Sequence, residues 1–182
     1  EKTHLYPLAV VGATACGCGA GVPPAASSNH AVRAGETPAP QSQDGQCIIG
    51  NANAIREHVV VCAGLDTPTR IGDDNLIMIG SHVGAGAVIG DHGIFANCTL
   101  VGAGACVEDY VRTSAFAVVA PGMRVGAYTF IAGYAAVDHD APPYAIIQGF
   151  PFRVRGVNTE NLKRCGFGES DIRALKDAFR EL

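Results

Sequence analysis

The sequence predicts an all-β fold, a left-handed parallel β-helix wound from a six-residue repeat over residues 49 to 137, with a short C-terminal α-helical extension. Three observations predict it. Every sixth residue from Ile71 reads Ile77, Val83, Ile89, Phe95, Val101, Val107, Thr113, Val119, Val125, Ile131 and Val137, and only Thr113 is polar. The residue that follows is mostly glycine or small, as at Gly72, Gly84, Gly90, Ala96, Gly102 and Gly126. The chain of 182 residues has 23 glycines, two methionines and no tryptophan, which suits a core of small and β-branched side chains at tight corners.

A helix repeats every 3.6 residues and a half-buried strand every two, so a strict six fits neither. Six residues make one short strand and one corner, and three such sides close a triangular coil with one aliphatic per side pointing inward. Each buried aliphatic contributes roughly 1.5–3 kcal/mol. Stacked coils add these contributions, so a solenoid tolerates one weak position such as Thr113. The small residue after each aliphatic is expected where the backbone turns sharply and a larger Cβ would crowd the next coil.

The frame also assigns the rest of the chain. Ile49, Ile55 and Val61 keep the spacing, and the ten-residue step to Ile71 predicts a short loop, Leu65 to Arg70, extruded from one coil. Leu5 and Val11 predict a partial N-terminal coil over 1–16, and 17–46 reads as a Gly/Pro/Ala-rich loop with little core of its own. The solenoid body occupies 47–141. Pro142-Pro143 is expected to end the ladder, because paired prolines cannot keep donating to it. The extension, 142–182, is expected to hold a short helix from Glu160 to Cys165 closed at Gly166. A second helix, capped by Ser170, would put Ile172, Leu175, Phe179 and Leu182 on one face.

Composition narrows the function classes. A net charge of −4 argues against a nucleic-acid partner, and no apolar run approaches the ~20 residues that span a bilayer. The seven cysteines (Cys16, Cys18, Cys47, Cys62, Cys98, Cys106, Cys165) form no zinc-type CxxC pair. They read as unpaired thiols in a reducing compartment, cytoplasm or organelle matrix or stroma. A start at Glu1 leaves processing or truncation open.

Three blocks carry a family resemblance: IGNANAIREHVVV (49 to 61); TRIGDDNLIMIGSHV (69 to 83) with IFANCTLVG (94 to 102); and DAPPYAIIQG (140 to 149) with GVNTENLKRCGF (156 to 167). The chain resembles the acyl-ACP–UDP-N-acetylglucosamine O-acyltransferases (LpxA). The resemblance covers most of 34 to 182, and it implies a trimer of β-helices with sites between neighbouring prisms. Both ends depart from the family, which has further coils before Leu5 and a longer helical region at the C-terminus.

The family reaction needs a histidine base to take the proton from a sugar hydroxyl that attacks an acyl thioester, with a dipole to hold the oxyanion. By resemblance, its HxxHD motif falls on His82-Val83-Gly84-Ala85-Gly86. His82 matches the first histidine, but the catalytic position is Ala85 and its orienting aspartate is Gly86. Further family histidine positions are filled by small or apolar residues. The resemblance also implies that Asn158, Glu160 and Arg164 contact the acyl donor and its carrier; the plainer reading is that they brace the helix junction. No catalytic residue is therefore assigned, His82 remaining as the residual candidate.

His4, His30, His58, His92 and His139 are expected to be solvent-exposed. His82 and His92 are ten residues apart with no third histidine at a matching offset, which argues against a γ-carbonic-anhydrase-like zinc site. Neither a metal nor a cofactor is expected. The leading expectation is an LpxA-like trimer that has lost catalysis, acting as a structural or binding protein or as a subunit of a larger assembly. The alternative is an active transferase using His82 or a residue of a neighbouring chain, with acyl carrier protein as partner. A γ-carbonic-anhydrase-like subunit of an organellar complex stands third.

Overall fold

The computed structural model describes residues 2–13 and 45–181; the loop expected over 17–46 therefore lies, up to residue 44, outside the described residues. The described chain winds as a left-handed parallel β-helix of about six turns, with strands stacked on three faces. The first face stacks His4–Leu5, Ala54–Ile55, Leu76–Ile77, Ile94–Phe95, Arg112–Thr113, Phe130–Ile131 and Ala145–Gln148 in parallel, then adds Arg153–Val157 antiparallel at its edge. The second stacks Val10–Ala13, Val60–Cys62, His82–Val83, Leu100–Val101, Val118–Val119 and Ala136–Val137. The third stacks Cys47–Ile49, Thr69–Ile71, Val88–Ile89, Cys106–Val107 and Arg124–Val125.

Alternation along each short strand sends one side chain inward and its neighbour outward. The in-frame residues from Ile71 to Val137 are buried, Thr113 included. Thr113 meets the cost of burying a hydroxyl by bonding it: its Oγ1 accepts from Ala96 N at 2.9 Å and pairs with Thr99 Oγ1 at 2.7 Å. Elsewhere in the stack, Asn53 and Asn75 form a buried ladder. Asn53 Oδ1 accepts from Asn75 N, and Asn75 Oδ1 accepts from Gly93 N, at 2.9 and 2.7 Å.

The corners differ from expectation. The left-handed backbone lies three residues after each inward aliphatic, at Asp74, Gly80, Gly86, His92, Cys98, Gly104, Tyr110, Phe116, Gly122, Tyr128 and Tyr134. The small residue directly after the aliphatic serves close approach to the next coil, as expected, but is not where the backbone turns left-handed. A Cβ on Gly102 would stand 2.5 Å from Pro121 N in the next coil. The extruded loop is also shorter than expected, because Thr69–Ile71 is already strand. Thr69 ties the loop's base: its hydroxyl donates to Cys62 O at 2.6 Å and accepts from Gly86 N at 2.8 Å.

Pro142 and Pro143 do not end the stack. Ala141 bridges to Val125, and Ala145–Gln148 pairs in parallel with Phe130–Ile131. The prolines occupy a corner in the last coil, where their missing N–H groups cost the ladder nothing. A hairpin then returns through Arg153–Val157, an element without a sequence signal. Helix α1 (Thr159–Arg164) and helix α2 (Glu169–Ala178) follow. Ser170 is not the cap of α2: Gly168 is, and its N–H donates to Asp171 Oδ2 at 3.2 Å. Leu162 and Ile172 bury against Val157, joined by Tyr128, Tyr144, Phe167, Leu175 and Phe179.

Candidate functional site

Ala85 and Gly86 occupy a corner between the second and third faces, where Gly86 takes φ +71°. They line an open cleft of about 560 Å³ with Leu65, Asp66 and Thr67 from the extruded loop and with Val88 and Gly104 from the coils. The same corner row continues with Gly104 and Gly122 in the coils above. Among the residues lining this cleft Asp66 is the one carboxylate, and none is an imidazole. A general base must reach the proton it abstracts within about 2.6–3.2 Å or through one water.

His82 stands on the strand before this corner. Val83 points inward, so His82 points outward, between Val60 and Leu100 of the adjacent coils, and it is not among the residues lining the cleft. Its Nε2 lies 3.7 Å from Cys62 Sγ. Partial burial holds the imidazole below its ordinary value, so near neutrality it is uncharged and able to accept a proton. Cys62 is disulfide-bonded, which corrects the expectation of unpaired thiols there, whereas Cys47, Cys98, Cys106 and Cys165 are free. Cys16, Cys18 and His30 lie outside the described residues.

The C-terminal candidates Asn158, Glu160 and Arg164 separate by environment. Asn158 is buried and committed: it caps α1, its Nδ2 donates to Tyr128 O at 2.8 Å, and its N–H donates to Tyr144 O at 2.7 Å. Asn161, unnoticed in the sequence, works beside it, donating from Nδ2 to Tyr110 O at 2.9 Å. Glu160 is exposed on the first turn of α1. Arg164 is exposed on the last turn and lines a second groove with Arg112, His92 and Asp74.

Of the histidines expected to be solvent-exposed, His4, His58 and His139 are exposed and His92 is half-buried. His92 pairs with Asp74 at 2.8 Å and stacks on Tyr110, whose ring stacks on Tyr128 and through it on Tyr144. His139 pairs with Asp138 at 2.8 Å and stacks on Phe152. Both brace corners. Among the described residues no group of three or more His, Cys, Asp or Glu side chains is placed to hold a metal ion. No helix among them is long and apolar enough to cross a membrane.

Comparison with known proteins places this geometry. Residues 140–182 match the model of the UDP-N-acetylglucosamine O-acyltransferase family, domain 2, and residues 68–103 match the bacterial transferase hexapeptide model. The acyl-[acyl-carrier-protein]–UDP-N-acetylglucosamine O-acyltransferase of Neisseria meningitidis serogroup B is 47% identical over 138 residues, covering 74% of this chain and 54% of the relative. That of Vibrio campbellii is 41% identical over 143 residues, covering 77% and 55%. Among solved structures, LpxA from Acinetobacter baumannii superposes with a TM-score of 0.74 at 30% identity, covering 78% of this chain and 56% of that one. The Arabidopsis UDP-N-acetylglucosamine acyltransferase gives 0.73 at 38%, covering 75% and 48%. The chain thus spans about half the length of the relatives it matches. Shared coils, shared C-terminal block and shared backbone course agree, and the chain belongs to the LpxA family of left-handed β-helix proteins.

Proposed function

We propose that this chain is an LpxA-family protomer without transferase chemistry of its own, retained as a binding or structural member of a trimer of β-helices or of a larger assembly. The observation that carries this reading is the pair Ala85-Gly86 at the family's catalytic positions, on a cleft whose lining holds no imidazole. Alanine cannot take a proton, and glycine cannot orient a ring. General acid–base catalysis contributes about 10²–10⁴-fold, so its loss silences turnover even where binding survives. At the donor end, Asn158 is spent on capping and bracing, while Glu160 and Arg164 remain available to a ligand.

A second reading, an active acyl-ACP–UDP-sugar O-acyltransferase using His82 or a residue of a neighbouring chain, rests on two observations. The relatives named above are acyltransferases, and nothing in their names supports loss of catalysis. His82 is also held neutral by burial. Transfer from acyl-ACP to UDP-N-acetylglucosamine decides between the readings: turnover by the natural chain that disappears in His82→Ala establishes the second, and no turnover above background supports the first. The mass of the particle in solution tests the trimer, which a stable monomer contradicts.

A further inference from the structure

The C-terminal extension and the solenoid differ in charge. Residues 142–182 carry seven Lys and Arg against five Asp and Glu, whereas the rest of the chain carries six against twelve. Four of the extension's cations lie along the hairpin that joins Ala145–Gln148 to Arg153–Val157. At its tip Phe150 is 72% exposed, whereas Phe152 is buried at 8%. Val154 is exposed as well, between exposed Arg153 and Arg155. Arg155 Nε donates to Gln148 Oε1 at 2.7 Å, which holds its guanidinium beside the strand leading into the tip. Across a cleft of about 650 Å³, Lys176 and Arg180 of α2 face Val154 and Arg155. Arg180 is paired to Asp177, and among the described residues Arg153, Arg155 and Lys176 enter no ion pair. Asp138 is already paired to His139, whose ring stacks on Phe152.

We propose that this hairpin docks the protein on an anionic bilayer surface, Phe150 entering the boundary between headgroups and acyl chains while Arg153, Arg155 and Lys176 lie against lipid phosphates. Interfacial binding strengthens with the apolar area buried and with attraction to anionic lipids, so the two features reinforce each other. The cations alone suit an acidic protein equally; the bare aromatic tip is what favours a bilayer. Docking here does not rest on whether residues 85 and 86 support turnover, because no residue of the hairpin lines the cleft at Ala85.

Flotation of the full chain with vesicles of phosphatidylglycerol and phosphatidylcholine in equal parts, against vesicles of phosphatidylcholine alone, tests it. The chain is expected to float with the anionic vesicles, to float poorly with the neutral ones, and to be released as salt rises from about 0.1 M to about 0.5 M. Arg153→Gln/Arg155→Gln is expected to weaken binding about tenfold or more, and Phe150→Ser about fivefold or more. Lys176→Gln gives the same sign as the arginine pair and stands in for it if that variant does not fold. The chain has no tryptophan, so Phe150→Trp reports on the tip alone: its emission is expected to shift to shorter wavelength on anionic vesicles and to stay unshifted with soluble poly-L-glutamate. Failure to float with anionic vesicles, equal flotation with neutral ones, or unchanged binding in folded Phe150→Ser each overturns the proposal. Retention by poly-L-glutamate without a shift on vesicles overturns it too, and assigns the cations to an acidic protein.

Discussion

Two corner rows of the same prism share a backbone and differ in everything else. In one, Asp74, His92, Tyr110, Tyr128 and Tyr144 all adopt φ between 57° and 63°, and their side chains pair and stack from coil to coil at ring separations of 4.6–5.6 Å. Phe167 closes edge-on against Tyr128 at 5.1 Å, so this row clamps the C-terminal helices to the solenoid. In the other, Gly86, Gly104 and Gly122 take the same turn with no side chain, and the cleft at Ala85 lies open beside them. The inward aliphatics set the coil, and the corner residue decides whether that corner braces, binds or stays bare. Fold and chemistry are therefore written on different positions of one repeat, and one can be lost without the other.

Removing a rung from each row sharpens this contrast. Tyr128→Ala deletes a ring in contact with Tyr110, Tyr144 and Phe167. At about 0.5–1.5 kcal/mol per aromatic pair beyond burial, it is expected to cost about 2 kcal/mol or more in denaturant unfolding. Hydrogen exchange should accelerate in α1 and α2 and leave Ile89 and Val107 in the coil interior protected. Gly104→Ala, where an added Cβ meets nothing within 4 Å, should cost only the left-handed backbone penalty, roughly 1 kcal/mol. Equal losses for the two variants would break the contrast.

The smallest effect is a pH dependence. His82 has a folded-state value held below its ordinary 6.5 by burial, so the unfolded chain binds the proton more readily. Stability from this group is present above about pH 6.5 and is lost as pH falls through the depressed folded value. Between about pH 8 and 5, Tm should therefore fall more for the natural chain than for His82→Asn. Parallel pH profiles would remove burial of His82 from the account.

The inward rows were legible in the sequence because one aliphatic every six residues has no competing helical or sheet period. The corner turns were not legible, since Tyr at left-handed φ contradicts its local propensity, and the ring it stacks on lies 18 residues away, as for Tyr110 and Tyr128. The Arg153–Val157 hairpin was missed because Pro142-Pro143 reads as a stop, whereas the last coil of a stack does not need those N–H groups. Of the site, Ala85 and Gly86 were legible only through the family motif; composition and spacing alone make them unremarkable small residues. Asn161 carried no sequence signal, because its role depends on a helix end that packs against distant coils.

The central claim, that a bare corner has removed the chemistry and left the fold, is tested most directly by restoring the corner. Gly86 already adopts a turn that Asp74 adopts one row away, and an added Cβ there meets Thr67 O no nearer than 3.4 Å, so Ala85→His/Gly86→Asp is expected to fold at a left-handed backbone penalty of roughly 1 kcal/mol. Acyl transfer from acyl-ACP to UDP-N-acetylglucosamine, measured side by side, should lie about 10²–10⁴-fold lower in the natural chain than in this double variant. A natural chain that transfers acyl groups as fast as the double variant would contradict the account.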